Sequence, residues 1–252
     1  MKINILAFIL GVLFYFNLNA QSNEFYETES GAYYFVNAKG DTAITYSYSY
    51  PVFNENNPAI DGAALNTYLS SSGLLDFAQK FEEYKGMYQD NKMDEMDWGN
   101  IWEESINIEV LAVTPGLISL SSSYYNYLGG AHGMYGTSGI QLNPETGMLY
   151  TNDQILNYDA AIYEGLRGVA ESRLREKYGT GSENEMLSDL GFWFENDEFI
   201  LSENFLITDT GFVFLYQPYE IAPYALGLVE IPLTFEEMEP FLSPSCPVLS
   251  IK

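Results

Sequence analysis

Residues 105–127 read SINIEVLAVTPGLISLSSSYYNY, and this stretch decides the fold class. Ile106, Ile108, Val110 and Ala112 recur at every second position, so they line one face of an extended strand. Pro115-Gly116 then supplies a turn, Pro by fixing its own φ and Gly by accepting conformations closed to other residues, and residues 117–127 return as a second strand. A turn this short can join only antiparallel neighbours.

The same grammar repeats on both sides. AYYFVNA and TAITYSYSYPVF, within residues 31–53, are joined by Lys39-Gly40-Asp41 and read as an opening hairpin. Residues 139–150 read as a hairpin around NPETG, residues 204–216 as one turning at Asp209-Thr210-Gly211, and residues 226–233 as a further strand. Between them the period changes. Leu74, Phe77, Ala78, Phe81, Tyr84 and Tyr88 recur every three or four positions and predict a helix, with a shorter one marked by Leu65, Tyr68 and Leu69 before Gly73. Asp159 caps another helix, with Ile162, Leu166, Val169, Ala170 and Leu174 as its apolar stripe and Gly179 as its end. Arg167, Arg173, Arg175 and Lys177 fall on its outer side and read as a solvated face that neutralises acidic neighbours. Thr234 and Glu237 form a capping box for a final short helix. The expected class is α+β, a largely antiparallel sheet built from hairpins with a few packed helices. The acid-rich residues 82–109 place a boundary between an N-terminal half, 21–110, and a C-terminal half, 111–252, unless the two form one continuous domain.

Composition narrows function by exclusion. A chain of 252 residues, 47% hydrophobic, buries a substantial core and is no disordered tail. Its net charge of −25 removes nucleic acid as a partner and favours a basic one. One His and one Cys exclude zinc sites of three or four His and Cys ligands, an internal disulfide framework and a four-thiolate cluster, and no cofactor is expected. Residues 1–20, MKINILAFILGVLFYFNLNA, have the charged start, apolar centre and small terminal residue of a secretory signal peptide. The expected location is therefore periplasmic or secreted. Cys246 lies far from this leader, so it offers no lipid anchor, and no membrane insertion is expected after cleavage.

Two segments stand out as candidate sites. YLGGAHG, residues 127–133, surrounds the lone His132 with Gly129, Gly130 and Gly133. Such a loop either pins a corner, with His132 bonding nearby carbonyls, or presents the imidazole to a ligand. In YQPYEIAPYALG, residues 216–227, Pro218 and Pro223 bracket Tyr219, Glu220 and Tyr224, and Glu220 is the candidate partner of His132. The candidate binding residues are Tyr127, Gly129, Gly130, His132, Tyr219, Glu220 and Tyr224; no catalytic or metal-binding residue is assigned. No GxSxG elbow accompanies His132. With 35 acidic residues, a glycosidase pair carries no signal. DNKMDEMDWG, residues 90–99, fails the calcium-loop pattern, with Lys92 at its third position and Glu95 where Gly is required.

These two segments, with NPETGMLY at 143–150, VEIPLTFEEMEPFL at 229–242 and the upstream YPVF, ALNTYL and GLISLSSSYY stretches, resemble the extracytoplasmic domain of RsiV-type anti-sigma factors. The same domain also occurs beside the catalytic domain of some peptidoglycan deacetylases. The resemblance implies an α+β domain at the bacterial envelope, which in its sensor-type members binds lysozyme. Those members carry a cytoplasmic anti-sigma segment and a membrane-spanning helix ahead of the domain, where this chain opens with a signal peptide. Neither sigma-factor control nor deacetylation is therefore carried over. The expected function is a secreted or periplasmic non-catalytic binding domain with a lysozyme-type muramidase, or another basic protein, as partner. A peptidoglycan-binding module is the alternative, and a peptidoglycan-modifying enzyme a more remote one.

Overall fold

A computed structural model describes residues 23–95, 101–179 and 185–248. The leader at 1–20 and part of the acid-rich segment 90–99 lie outside these residues. The first five strands are β1 (Tyr26–Val36), β2 (Thr42–Phe53), β3 (Trp102–Val113), β4 (Ile118–Tyr127) and β5 (Met134–Leu142), and they form one sheet in that order. Helices α1 (Gly62–Ser71) and α2 (Phe77–Asp90) connect β2 to β3. That connection lets β2 and β3 pair in parallel, while the other neighbours are antiparallel as the hairpin turns require. The α1 helix starts at Asp61, whose carboxylate accepts the Ala64 N–H at 3.0 Å.

Alternation puts the apolar side chains of this sheet under the two helices. Leu65 and Leu69 of α1 pack with Phe53, Ile108, Ile118, Leu120 and Leu142. Phe77, Phe81 and Tyr88 of α2 pack with Phe35, Ile44, Tyr46 and Trp102. Each such side chain, fully buried, contributes about 1.5–3 kcal/mol.

The second sheet is β6 (Phe205–Ile207), β7 (Gly211–Tyr216) and β8 (Val229–Thr234), all antiparallel. Between the sheets come a one-turn helix α3 (Asn152–Ile155) and the long α4 (Ala160–Tyr178); α5 (Phe235–Met238) follows β8, opened by the Thr234 and Glu237 capping box. Leu166, Ala170 and Leu174 of α4 are fully buried against Phe212, Phe214, Ile231 and Leu233. Cys246 is buried in the same core.

The structure refines several sequence readings. The boundary between 21–110 and 111–252 falls inside β3, which is paired on both sides, and the chain changes sheet only after Leu142. β5 begins at Met134, so the 139–150 hairpin keeps its first strand while its second contracts to a single bridge between Leu142 and Leu149. The cationic side of α4 is solvated only in part: Lys177 is exposed and Arg167 pairs with Glu164 as a neutralising face would, but two of its arginines turn inward. Arg175 is buried, bonded to Glu171 and to the Glu185 carbonyl, and Arg173 reaches the Pro232 carbonyl at 3.0 Å and Glu237 at 2.5 Å. Arg173 thus holds α4 to β8 and to the start of α5, and Arg175 ties α4 to the loop at Glu185. Between the two sheets, β5 and β6 are joined through side chains and not by a backbone ladder. Asn204 and Gln217 use their side-chain amides to satisfy the outward backbone groups of β5, with Gly139 N–H to Asn204 Oδ1 at 3.0 Å and Asn204 Nδ2 to the Thr137 carbonyl at 2.8 Å. Gln217 bonds Thr137 at both its N–H and its carbonyl. Two amide side chains thereby close an edge that would otherwise present free donors and acceptors.

Candidate functional site

The β4–β5 connection, residues 128–133, carries His132. Gly129 and Gly130 adopt φ of 90° and 101°, a backbone region that residues with a Cβ rarely enter, and the Tyr127 hydroxyl donates to the Gly130 carbonyl at 3.0 Å. The Gly133 carbonyl gathers two donors, His132 Nδ1 at 2.9 Å and the Tyr224 hydroxyl at 2.6 Å. A carbonyl only accepts, so Nδ1 carries the proton and Nε2 is left to accept from the Tyr219 hydroxyl at 3.4 Å. A side chain on Gly133 would lie 2.5 Å from the Tyr125 ring, so glycine is what lets that ring rest on the loop.

The facing segment comes from beyond β7. The Glu220 N–H donates to the Gln217 carbonyl at 3.0 Å, closing a turn in which Tyr219 takes φ of 70°. That left-handed turn aims Tyr219 at the β4–β5 loop. Tyr224 stacks on His132 with ring centres 3.9 Å apart and planes 20° apart, and Tyr219 and Tyr135 flank Tyr224 at 5.5 and 5.8 Å. Partial burial pushes the Tyr224 phenol above the ordinary tyrosine range, with the phenols of Tyr135, Tyr125 and Tyr219 adding to the effect. The result is an aromatic cluster around one histidine, bridging the end of the first sheet and the exit from the second. Tyr219 leaves half of its surface, 50%, in water.

The cluster thus joins His132, Tyr219 and Tyr224, with Tyr127, Gly129 and Gly130 shaping the loop beneath. Glu220 does not pair with His132. Its carboxylate turns back to accept the Gln217 N–H at 2.6 Å, a partner within its own turn that is bound at far less entropic cost than a side chain on another loop. Tyr125, Tyr135 and Gln217 were not among the expected site residues. The register Tyr125↔Tyr135 explains the omission, because it appears only once β5 is started at Met134. Among the described residues, no group of three or more His, Cys, Asp and Glu side chains converges as a metal site would need.

Comparison with known proteins places this geometry across two matched regions. Residues 38–135 match the family model described as Deacetylase PdaC, and residues 149–236 match the one described as Protein of unknown function (DUF3298). The His132 loop ends the first region and the Tyr219–Tyr224 segment lies in the second, so the cluster is assembled from both. The crystal structure of a DUF3298 family member from Bacteroides fragilis is similar with a TM-score of 0.66 and 23% identity, covering 91% of this chain and 98% of that one. A DUF3298 family protein from Pseudomonas aeruginosa PAO1 is similar with a TM-score of 0.58 and 16% identity, covering 87% of this chain and 95% of that one. At these identities the likeness is one of fold. No curated protein matches the chain.

Proposed function

We propose that the chain is a secreted or periplasmic, non-catalytic binding domain that presents the His132, Tyr219 and Tyr224 cluster to a protein partner, a lysozyme-type muramidase. The observation that carries the reading is Tyr219, a bulky residue held at φ of 70° with half its surface exposed. Such a backbone is unfavourable by about 1–3 kcal/mol, and conformations of this kind concentrate where a side chain must be aimed. Tyrosines on a rigid base are also the side chains that dominate protein interfaces. Both ring nitrogens of His132 are engaged within the cluster, which suits a positioning role better than proton transfer. The net charge of −25 favours a basic partner, and the resemblance to the lysozyme-binding sensor domains supplies its class.

Calorimetry with an animal-type lysozyme at low and at physiological salt tests this. Binding that persists at physiological salt and is lost in Tyr219→Gly supports it; binding confined to low salt, or none, sinks it. The exposed rings of Tyr125 and Tyr219 also favour a second reading, a peptidoglycan-binding surface. Cosedimentation with purified peptidoglycan without lysozyme would support that alternative. A peptidoglycan-modifying enzyme would instead show turnover that His132→Ala abolishes with the fold intact.

A further inference from the structure

A groove of about 530 Å³ opens next to the turn that carries Tyr219, with Glu220 in its wall. Trp193, Ile200 and Tyr163 form its apolar side, and Trp193 and Ile200 are 50% and 61% exposed. The Trp193 ring does not float: its Nε1–H donates to the Glu220 carbonyl at 3.1 Å, and its backbone N–H to the Ile221 carbonyl at 3.0 Å. The loop that follows is fixed as well, since Asp197 accepts the N–H groups of Leu187 and Ser188 at 3.1 and 2.8 Å. The aromatic platform is therefore preorganised.

The charges in the groove are one-sided. Glu195, Glu203 and Glu220 line it, and no Lys, Arg or His does. The polar groups beneath are already used, the Tyr216 hydroxyl on the Ile200 carbonyl and the Ser202 hydroxyl on the Leu215 carbonyl. Glu220 accepts from Gln217, and Arg167, one turn along α4 from Tyr163, is paired with Glu164 at 3.5 Å. Among the described residues, no hydrogen bond or ion pair is formed by the carboxylates of Glu195 and Glu203.

We propose that this groove receives an arginine side chain of a basic protein partner, its guanidinium plane over Trp193 and its charge met by Glu195 and Glu203. A guanidinium combines the flat face that an indole attracts with donors that match carboxylates. A neutral sugar would use the platform but leave the negative charge uncompensated. The proposal deepens the reading of the chain as a binder of basic proteins, and it rests on that reading for the partner's origin alone.

The test is NMR on the whole protein, following the Trp193 indole N–H during titration with the tripeptide acetyl-Gly-Arg-Gly-amide. Saturable shifts are expected, at least tenfold weaker in affinity for the Glu195→Gln/Glu203→Gln double variant, which keeps side-chain shape, and absent for the citrulline tripeptide. Equal titration by citrulline, an unchanged double variant, no response to arginine, or saturation of the same resonance by an N-acetylglucosamine oligomer instead would each overturn the proposal. Saturation by the tripeptide in a protein that fails to bind lysozyme would sink the lysozyme reading and keep this one.

Discussion

Tyr219 sets a backbone cost against the binding role proposed for its ring. Its φ of 70° suits glycine, so Tyr219→Gly is expected to leave thermal stability unchanged or raise it by up to about 1 kcal/mol, while lysozyme affinity falls at least tenfold. Differential scanning calorimetry and titration calorimetry on one preparation check both halves; a variant that loses stability and affinity together would reduce the tyrosine to a packing role. Gly139 is the opposite case. A Cβ there would lie 1.8 Å from the Phe205 carbonyl oxygen, so Gly139→Ala must force the two sheets apart and is expected to destabilise by at least about 2 kcal/mol in urea unfolding. Gly168, inside α4 with open space around its Cβ position, is the control: Gly168→Ala should stabilise by about 0.5–1 kcal/mol.

Between elements, the junction of α2, β3 and β4 turns on Glu104. Its carboxylate accepts from the Tyr84 hydroxyl at 2.8 Å and from Asn126 Nδ2 at 2.5 Å, in a site where the residue is only 8% exposed. Burial pushes its carboxyl above the ordinary glutamate range, with the Asn126 and Tyr84 bonds and the Lys80 charge pulling the other way. A raised folded value means stability present below the ordinary range and lost as pH rises through the elevated one. Glu104→Gln should therefore gain on the wild type as pH increases from about 4 to about 8, measured by urea unfolding. Glu237 is the reverse, held low by the Thr234 N–H, the Thr234 hydroxyl and Arg173. Its contribution is present above the ordinary range and lost as pH falls through the depressed value, so Glu237→Gln should be less stable than wild type at neutral pH, with the gap closing in acid. The elements themselves were readable where their signals are local. Pro115-Gly116, Asp159, Gly179 and the Thr234 capping box act within a turn, and the hairpins and helices they predict are present. The parallel pairing of β2 with β3 left no such mark, because it is made by two strands separated by α1 and α2. The inward bonds of the α4 cations left no mark for the same reason, their partners being on β8, at Glu185 and at the start of α5. In the site, the loop glycines and tyrosines showed themselves by composition, whereas the Glu220 side-chain direction depended on the φ of its neighbour.

At the scale of the whole molecule, the proposed binding of a basic partner would engage a net charge of −25 and a localised aromatic cluster at different steps of association. The charge is spread over the chain and reaches a basic partner before contact, so it raises the rate of encounter and is screened once the Debye length shrinks to about 8 Å. In that proposed complex the cluster would act only after contact, through rings held by Gly133 and by the turn at Tyr219, and so set how long the complex lasts. The two contributions are separable by kinetics. Raising salt from about 20 to about 150 mM should slow association with lysozyme about tenfold or more, and change dissociation by less than about twofold. Tyr219→Gly should do the reverse, speeding dissociation with association nearly intact. Surface plasmon resonance at the two salt concentrations reads both rates. If salt accelerated dissociation as strongly as it slowed association, the complex would be held by charge alone, and the preorganised tyrosines around His132 would have to serve another ligand.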